Sequence, residues 1–173
     1  MKHFFYAAVL STLSLHSPLV YAQQNPTACQ TEDIFRAFDF WVGNWTVIDQ
    51  STGQAAGTNS IKSIEGGCAI EERWTNTAGV TGRSLNYYNP VKKEWRQVWV
   101  ATGAYAIDVT GGFTDGAMRM NGTIYYYGTN QSFPFTGAWT PNKDGTVRQY
   151  FEQYNPDTKT WVPWFDGKYT KTE

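Results

Sequence analysis

The feature that most narrows the fold is a rhythm. Short stretches of alternating character, separated by turn-forming residues about every eight to twelve positions, run from residue 45 almost to the end of the chain. Alternation with period two marks strands that turn one face to a core, and strands so spaced, with little helix between them, read as an antiparallel sandwich or barrel. Ten strands are expected, over 45–49, 59–65, 69–75, 81–88, 95–101, 105–113, 118–126, 135–140, 147–154 and 162–171. Thr114-Asp115-Gly116, Asn142-Lys143-Asp144-Gly145 and Gly66-Gly67 supply the turn chemistry that antiparallel neighbours need. One helix is expected, from Thr31 as N-cap to about Phe38, with Glu32 and Asp33 in its first turn and Ile34, Phe35 and Phe38 on one face. It is too short to be more than a plug or lid.

The chain uses one turn twice. Tyr88-Asn89-Pro90-Val91-Lys92-Lys93-Glu94-Trp95 and Tyr154-Asn155-Pro156-Asp157-Thr158-Lys159-Thr160-Trp161 share the form Y-N-P-x-x-K-x-W. In each, Asn accepts a local hydrogen bond, Pro presets the next φ, and Tyr and Trp flank the loop in the strands. This is a repeated hairpin solution, and no longer repeat accompanies it.

The first 22 residues read as an export leader: Lys2 gives a positive start, an apolar run extends from Phe4 to Leu15, and Val20-Tyr21-Ala22 fits a small-x-small cleavage site. Ser11, Thr12, Ser14, His16 and Pro18 break the run, so it fits a permanent anchor of about 20 apolar residues poorly. The expected mature protein is a single domain over residues 23–173, secreted or periplasmic, with no stable membrane anchor. Without the leader, 13 basic residues face 15 acidic ones. No basic stripe stands out, which argues against nucleic acid as a partner.

Export changes the reading of the cysteines and histidines. Cys29 and Cys68 are the only two cysteines, and a pair in an oxidising compartment is expected to bridge. The alternative is two separate buried thiols. The bridge would clip the N-terminal arm to the segment after the second strand. Both histidines, His3 and His16, lie in the leader, so the mature chain has no imidazole for a Ser-His-Asp or Cys-His system, a histidine-ligated haem or an ordinary zinc site. There is no calcium loop of the D-x-D-x-D-G kind, and Gly111-Gly112 and Gly66-Gly67 read as turns. No cofactor or metal is implied. Asn44-Trp45-Thr46, Asn121-Gly122-Thr123 and Asn130-Gln131-Ser132 match the N-glycosylation pattern.

The stretch Phe38-Asp39-Phe40-Trp41-Val42-Gly43-Asn44-Trp45 reads as a plug that turns, through a glycine, into a first strand. With its G-x-W it resembles the entrance of lipocalin-like (calycin) barrels. The whole mature chain resembles an uncharacterised bacterial secreted family of that type, through Gly67-Cys68, Glu71-Glu72-Arg73-Trp74, Gly82 with Ser84, Trp95-Arg96-Gln97-Val98-Trp99 and Lys159-Thr160-Trp161. The resemblance implies an all-β fold, an antiparallel up-and-down barrel of about 8–10 strands with a short N-terminal helical plug and an internal pocket. The proximal histidine of the haem-binding ten-stranded relatives has no counterpart here, which disfavours haem.

Alternation proposes the pocket residues. Trp95, Gln97 and Trp99 share one face of the fifth strand, and Arg96, Val98 and Val100 the other. In the third strand Ile70, Glu72 and Trp74 form the more core-like set. The ninth offers Arg148, Tyr150, Glu152 and Tyr154 against Val147, Gln149, Phe151 and Gln153. The candidate ligand-binding set is Glu72, Trp74, Gln97, Trp99, Arg148, Tyr150 and Glu152. Such an interior, aromatic with a few polar groups, suits a small hydrophobic or amphipathic molecule. Tryptophans at strand ends also close a small barrel's core, and Glu72 and Glu152 could equally pair with Arg83 or Arg148 at the surface. A buried Glu would need Arg148, Tyr or Gln beside it.

Three function classes fit: a binder of a small molecule; a cofactor-independent cyclase, isomerase or lyase with Glu72 or Glu152 as acid or base; and a protein or glycan interaction module using rim aromatics such as Trp161 and Trp164.

Overall fold

The computed structural model describes Met1 and residues 26–172. Apart from Met1, the leader expected at 1–22 lies outside the described residues. Ten strands form: β1 (Gly43–Asp49), β2 (Ala55–Ile64), β3 (Ala69–Asn76), β4 (Thr81–Asn89), β5 (Glu94–Ala101), β6 (Tyr105–Thr114), β7 (Ala117–Tyr126), β8 (Gln131–Pro141), β9 (Val147–Asn155) and β10 (Thr160–Lys171). Each pairs antiparallel with its neighbours in sequence. The pairing of β1 with β10 closes the barrel, so that Trp45 lies opposite Lys171 and Asp49 opposite Gly167. Closure removes the exposed sheet edges that an open sheet would leave.

Period two decides what goes inside. β5 buries Trp95, Gln97, Trp99 and Ala101 and turns Arg96, Val98 and Val100 outward. Asp115 and Gly116, both at positive φ, make the two-residue β6–β7 connection, whereas Gly111-Gly112, expected as a turn, lies inside β6 opposite Met120 and Arg119. In the repeated hairpin, Asn89 Oδ1 accepts from the N–H groups of Val91 and Lys92, as Asn155 Oδ1 does from those of Asp157 and Thr158. Lys93 and Lys159 then take matching left-handed conformations, φ 57° and 56°.

The plug differs from the single helix expected over Thr31–Phe38. It consists of α1 (Ala28–Thr31), α2 (Asp33–Arg36) and a 3-10 turn at Asp39–Trp41. Glu32, at φ −94° and ψ 127°, is extended and interrupts the helix. Two constraints move the start upstream: Gln30 Oε1 accepts from the Thr27 N–H, and Cys29 is bridged to Cys68 across 39 residues. That disulfide ties α1 to the turn after β2, where the sequence placed it. Ile34 is exposed, whereas Phe35 and Phe38 are buried.

Behind the plug one end of the barrel is filled with rings. Phe38 stacks on Trp41 at 4.9 Å and meets Trp139 and Trp95 edge-on at 5.3 and 5.8 Å. The Trp45 indole N–H donates to the Trp41 carbonyl at 2.9 Å, and that of Trp95 to the Ile34 carbonyl at 3.1 Å. Gly43 makes the passage from plug to β1 at φ 152°, a backbone conformation that costs a side-chain-bearing residue dearly. The G-x-W entrance is thus a stopper: glycine turns the chain, and Trp45 pins it back onto Trp41.

Candidate functional site

The opposite end is hollow. A cavity of about 240 Å³ is lined by Ala56, Glu72, Trp74, Asn76, Gln97, Trp99, Tyr105, Ile107, Gln149, Phe151, Trp164, Phe165 and Tyr169. Those on β2, β3, β5, β6 and β9 arrive by alternation. On β10 a register shift between Pro163 and Phe165 lets two consecutive residues, Trp164 and Phe165, reach the same space. Proline has no N–H to give the ladder, and a bulge re-aims side chains in this way. Trp164 is then held by its indole N–H, which donates to the Tyr126 hydroxyl at 2.9 Å, and that hydroxyl donates to Gln153 Oε1 at 2.6 Å.

One wall is polar. Ser84 lies directly opposite Glu72 across β3–β4, and Asn86 directly opposite Gln97 across β4–β5. Their side chains connect in series: Gln97 Nε2 donates to Asn86 Oδ1 at 2.8 Å, Asn86 Nδ2 to Ser84 Oγ at 2.8 Å, and Ser84 Oγ to Glu72 Oε2 at 2.6 Å. From β2, Asn59 Nδ2 donates to Glu72 Oε1 at 2.7 Å. Glu72 is 3% exposed and forms no salt bridge among the described residues. Burial raises its carboxyl to about 7, against the lowering effect of the bonds from Ser84 and Asn59. Burial likewise pushes the Tyr105 hydroxyl up to about 12 and holds that of Tyr169 well above its usual value.

The remaining walls are rings, and some polar atoms there lack protein partners. Gln149 Oε1 and Trp99 Nε1 are buried with no partner in hydrogen-bond geometry, as is Asn59 Oδ1 beside the carboxylate. A buried acceptor left unpaired costs about 1–3 kcal/mol, so these groups favour an occupant that can bond to them.

Of the seven candidates from sequence, Glu72, Trp74, Gln97 and Trp99 line this cavity. Arg148, Tyr150 and Glu152 do not: β9 is rotated the other way, with Val147, Gln149 and Phe151 inward. Arg148 forms a two-bond ion pair with Asp166 on the outside, both bonds 2.8 Å, and sits 4.7 Å over the Tyr150 ring. Tyr150 and Glu152 belong to a separate outer hollow with Arg119 and Asn121. The physical reason is charge. One face of β9 carries Arg and Glu and the other carries none, so the uncharged face costs less to bury.

Sequence reasoning missed Asn59, Ser84, Asn86, Tyr105, Gln149 and Tyr169 as members of the site. The signal for Ser84 and Asn86 was their period with Gly82, on the face of β4 opposite Arg83 and Leu85. Gly82 itself is shaped to the site, since a Cβ there would fall within the Trp99 ring. Gly82→Ala is expected to cost about 2 kcal/mol by overpacking and to tilt Trp99. Melting temperature and the near-ultraviolet circular dichroism of the indoles measure this, and an unchanged pair would show that the ring is not seated on Gly82.

No helix among the described residues is long and apolar enough to cross a membrane, and the Cys29–Cys68 bridge fits an oxidising compartment. The closed ten-strand antiparallel barrel is consistent with a lipocalin-like (calycin) architecture. In comparisons with known proteins, no family model and no curated protein matches the chain, so that likeness rests on the fold.

Proposed function

We propose that this chain is an exported, single-domain calycin-type protein that binds a small hydrophobic or amphipathic molecule inside its barrel. The observation that carries the reading is the cavity at the unplugged end, with rings on most of its wall and a connected polar stripe on the rest. Ligand sites are concave and largely apolar, with a few placed polar groups that fix orientation. The unpartnered Gln149 Oε1 and Trp99 Nε1 are groups of that kind. An interaction module is less well supported: Trp161 is exposed beside Tyr154, as that reading expects, but Trp164 lines the cavity instead of the rim.

Trp74, Trp99 and Trp164 line the site, so ligand entry reports on itself. Native mass spectrometry of the protein as purified is expected to show a non-covalent small-molecule adduct, and titration with the extracted compound should quench tryptophan emission saturably. If no adduct appears and a panel of amphipathic aromatics leaves emission unchanged, the binding reading fails.

A second reading has one observation in its favour. A carboxyl poised near 7 in a cavity is suited to move protons at neutral pH. Under that reading Glu72 is the acid or base of a cofactor-independent isomerase or lyase. The extracted compound would then be converted on incubation with wild type and left intact by Glu72→Gln, whereas no conversion by either protein rejects it.

A further inference from the structure

The ionisable groups around the cavity are one-sided. Glu72 is its sole carboxyl, no lysine or arginine is among its lining residues, and Tyr105 from β6 and Tyr169 from β10 are its other titratable groups. The stripe contributes only neutral groups: Asn59 from β2, Ser84 and Asn86 from β4 and Gln97 from β5. β9 contributes the neutral Gln149. Each Glu72 oxygen accepts one protein hydrogen bond, which leaves acceptor capacity on both. Two further acceptors, Gln149 Oε1 and Asn59 Oδ1, have no partner. The aromatic members of the wall present π-systems, whose faces attract cations.

We propose that the cavity selects a molecule with a protonated amine on an aromatic body, the ammonium group donating to Glu72 while the surrounding rings take the apolar part. The inference rests on the ligand-binding reading of the same cavity and adds the charge of the occupant. An anionic ligand would meet Glu72 with no cation to offset the repulsion. A neutral one would leave the carboxyl to lose its charge by taking up a proton. A cation instead pairs with it, and the proton that Glu72 held passes to solvent on binding.

Linkage then sets the pH dependence. With the free protein's Glu72 near 7, a ligand that binds only the ionised form should bind about tenfold more weakly at pH 6 than at pH 8, since each pH unit below that point costs a factor of about ten. Tyr105 and Tyr169 stay protonated throughout that range, because burial raises both.

Three probes sharing one phenethyl body test this: phenethylamine, phenethyl alcohol and hydrocinnamate, titrated into the wild-type protein by calorimetry or tryptophan quenching at pH 6 and pH 8. The amine is expected to bind at least about tenfold tighter than the alcohol at pH 8, the energy of one well-placed desolvated ion pair or cation–π contact. It should lose about that factor at pH 6, and hydrocinnamate should be the weakest of the three. Glu72→Gln should bring the amine down to the affinity of the alcohol. If the alcohol matches or exceeds the amine, or the amine's affinity does not change with pH, the inference is overturned while the binding reading stands. If none of the three binds, the inference is overturned as well, and the binding reading is then judged by the native adduct and the wider panel alone. The wild-type comparison decides the matter whether or not the variant folds.

Discussion

Replacing Cys29 and Cys68 by serine is expected to lower the stability of the barrel by about 4 kcal/mol, the chain-entropy effect of opening a loop of this length, here 39 residues of sequence separation. The loss should not spread evenly. The bridge joins α1 to the turn after β2, and α1 and α2 are four residues each, too short to hold themselves. Their anchors are the bridge, the Arg36–Asp39 ion pair, the Trp95-to-Ile34 hydrogen bond and the packing of Phe35 on Tyr88. Amide exchange should therefore rise first over residues 28–36, while Phe38 and Trp41, stacked in the aromatic cluster, stay protected. Denaturant melts of the wild type and the double serine variant give the magnitude. A difference under about 1 kcal/mol would mean that the aromatic stopper alone closes this end and that the chain-entropy account fails here.

That division between bridge and stopper was partly visible in the sequence. Gly43 and Trp45 announced a turn into a first strand, and all ten strands were placed because each carries period-two alternation between turn residues. The boundaries missed were those where alternation is weak. β2 begins at Ala55, ahead of the expected 59, because Ala55-Ala56-Gly57-Thr58 carry little apolar contrast, and β8 at Gln131, ahead of the expected 135, because Pro134 interrupts its pattern. The site was legible where one face of a strand was distinctly less polar, as in Ile70, Glu72 and Trp74. It was misread on β9, where both faces carry aromatics and only the charges of Arg148 and Glu152 separate them. On β4 the usual rule inverts: Leu85 is exposed and Ser84 and Asn86 are buried, since the interior there is a hydrogen-bonded stripe opposite Glu72 and Gln97. Trp164 could not be assigned by alternation at all, because the bulge after Pro163 breaks the period.

The polar stripe makes a prediction about the empty protein that needs no ligand. Glu72 rises from 4.5 in the unfolded chain to about 7 in the barrel, so the folded state holds a proton that the unfolded state has already released. Stability is therefore highest on this account below about pH 4.5, falls as pH rises through the interval to about 7, and is level beyond it. The total is about 3 kcal/mol. Asp166, whose carboxyl is lowered chiefly by its bond from Arg148, works in the opposite direction and at lower pH, where its contribution is lost by protonation. The sum is a stability maximum on the acid side of neutrality. Glu72→Gln removes the titrating group while keeping an acceptor for Asn59, and it is expected to flatten the slope between pH 4.5 and 7 and to gain as much as about 3 kcal/mol at pH 8. The asymmetry is physical: an ionised carboxyl inside the barrel has Ser84 and Asn59 for company but no cation, and two hydrogen bonds do not replace its lost hydration. Denaturant melts of both proteins at half-unit pH steps measure it, and parallel curves would show that Glu72 is hydrated in solution. A cationic ligand of the kind proposed would pair with that carboxylate, and its binding would restore the stability that ionisation removes.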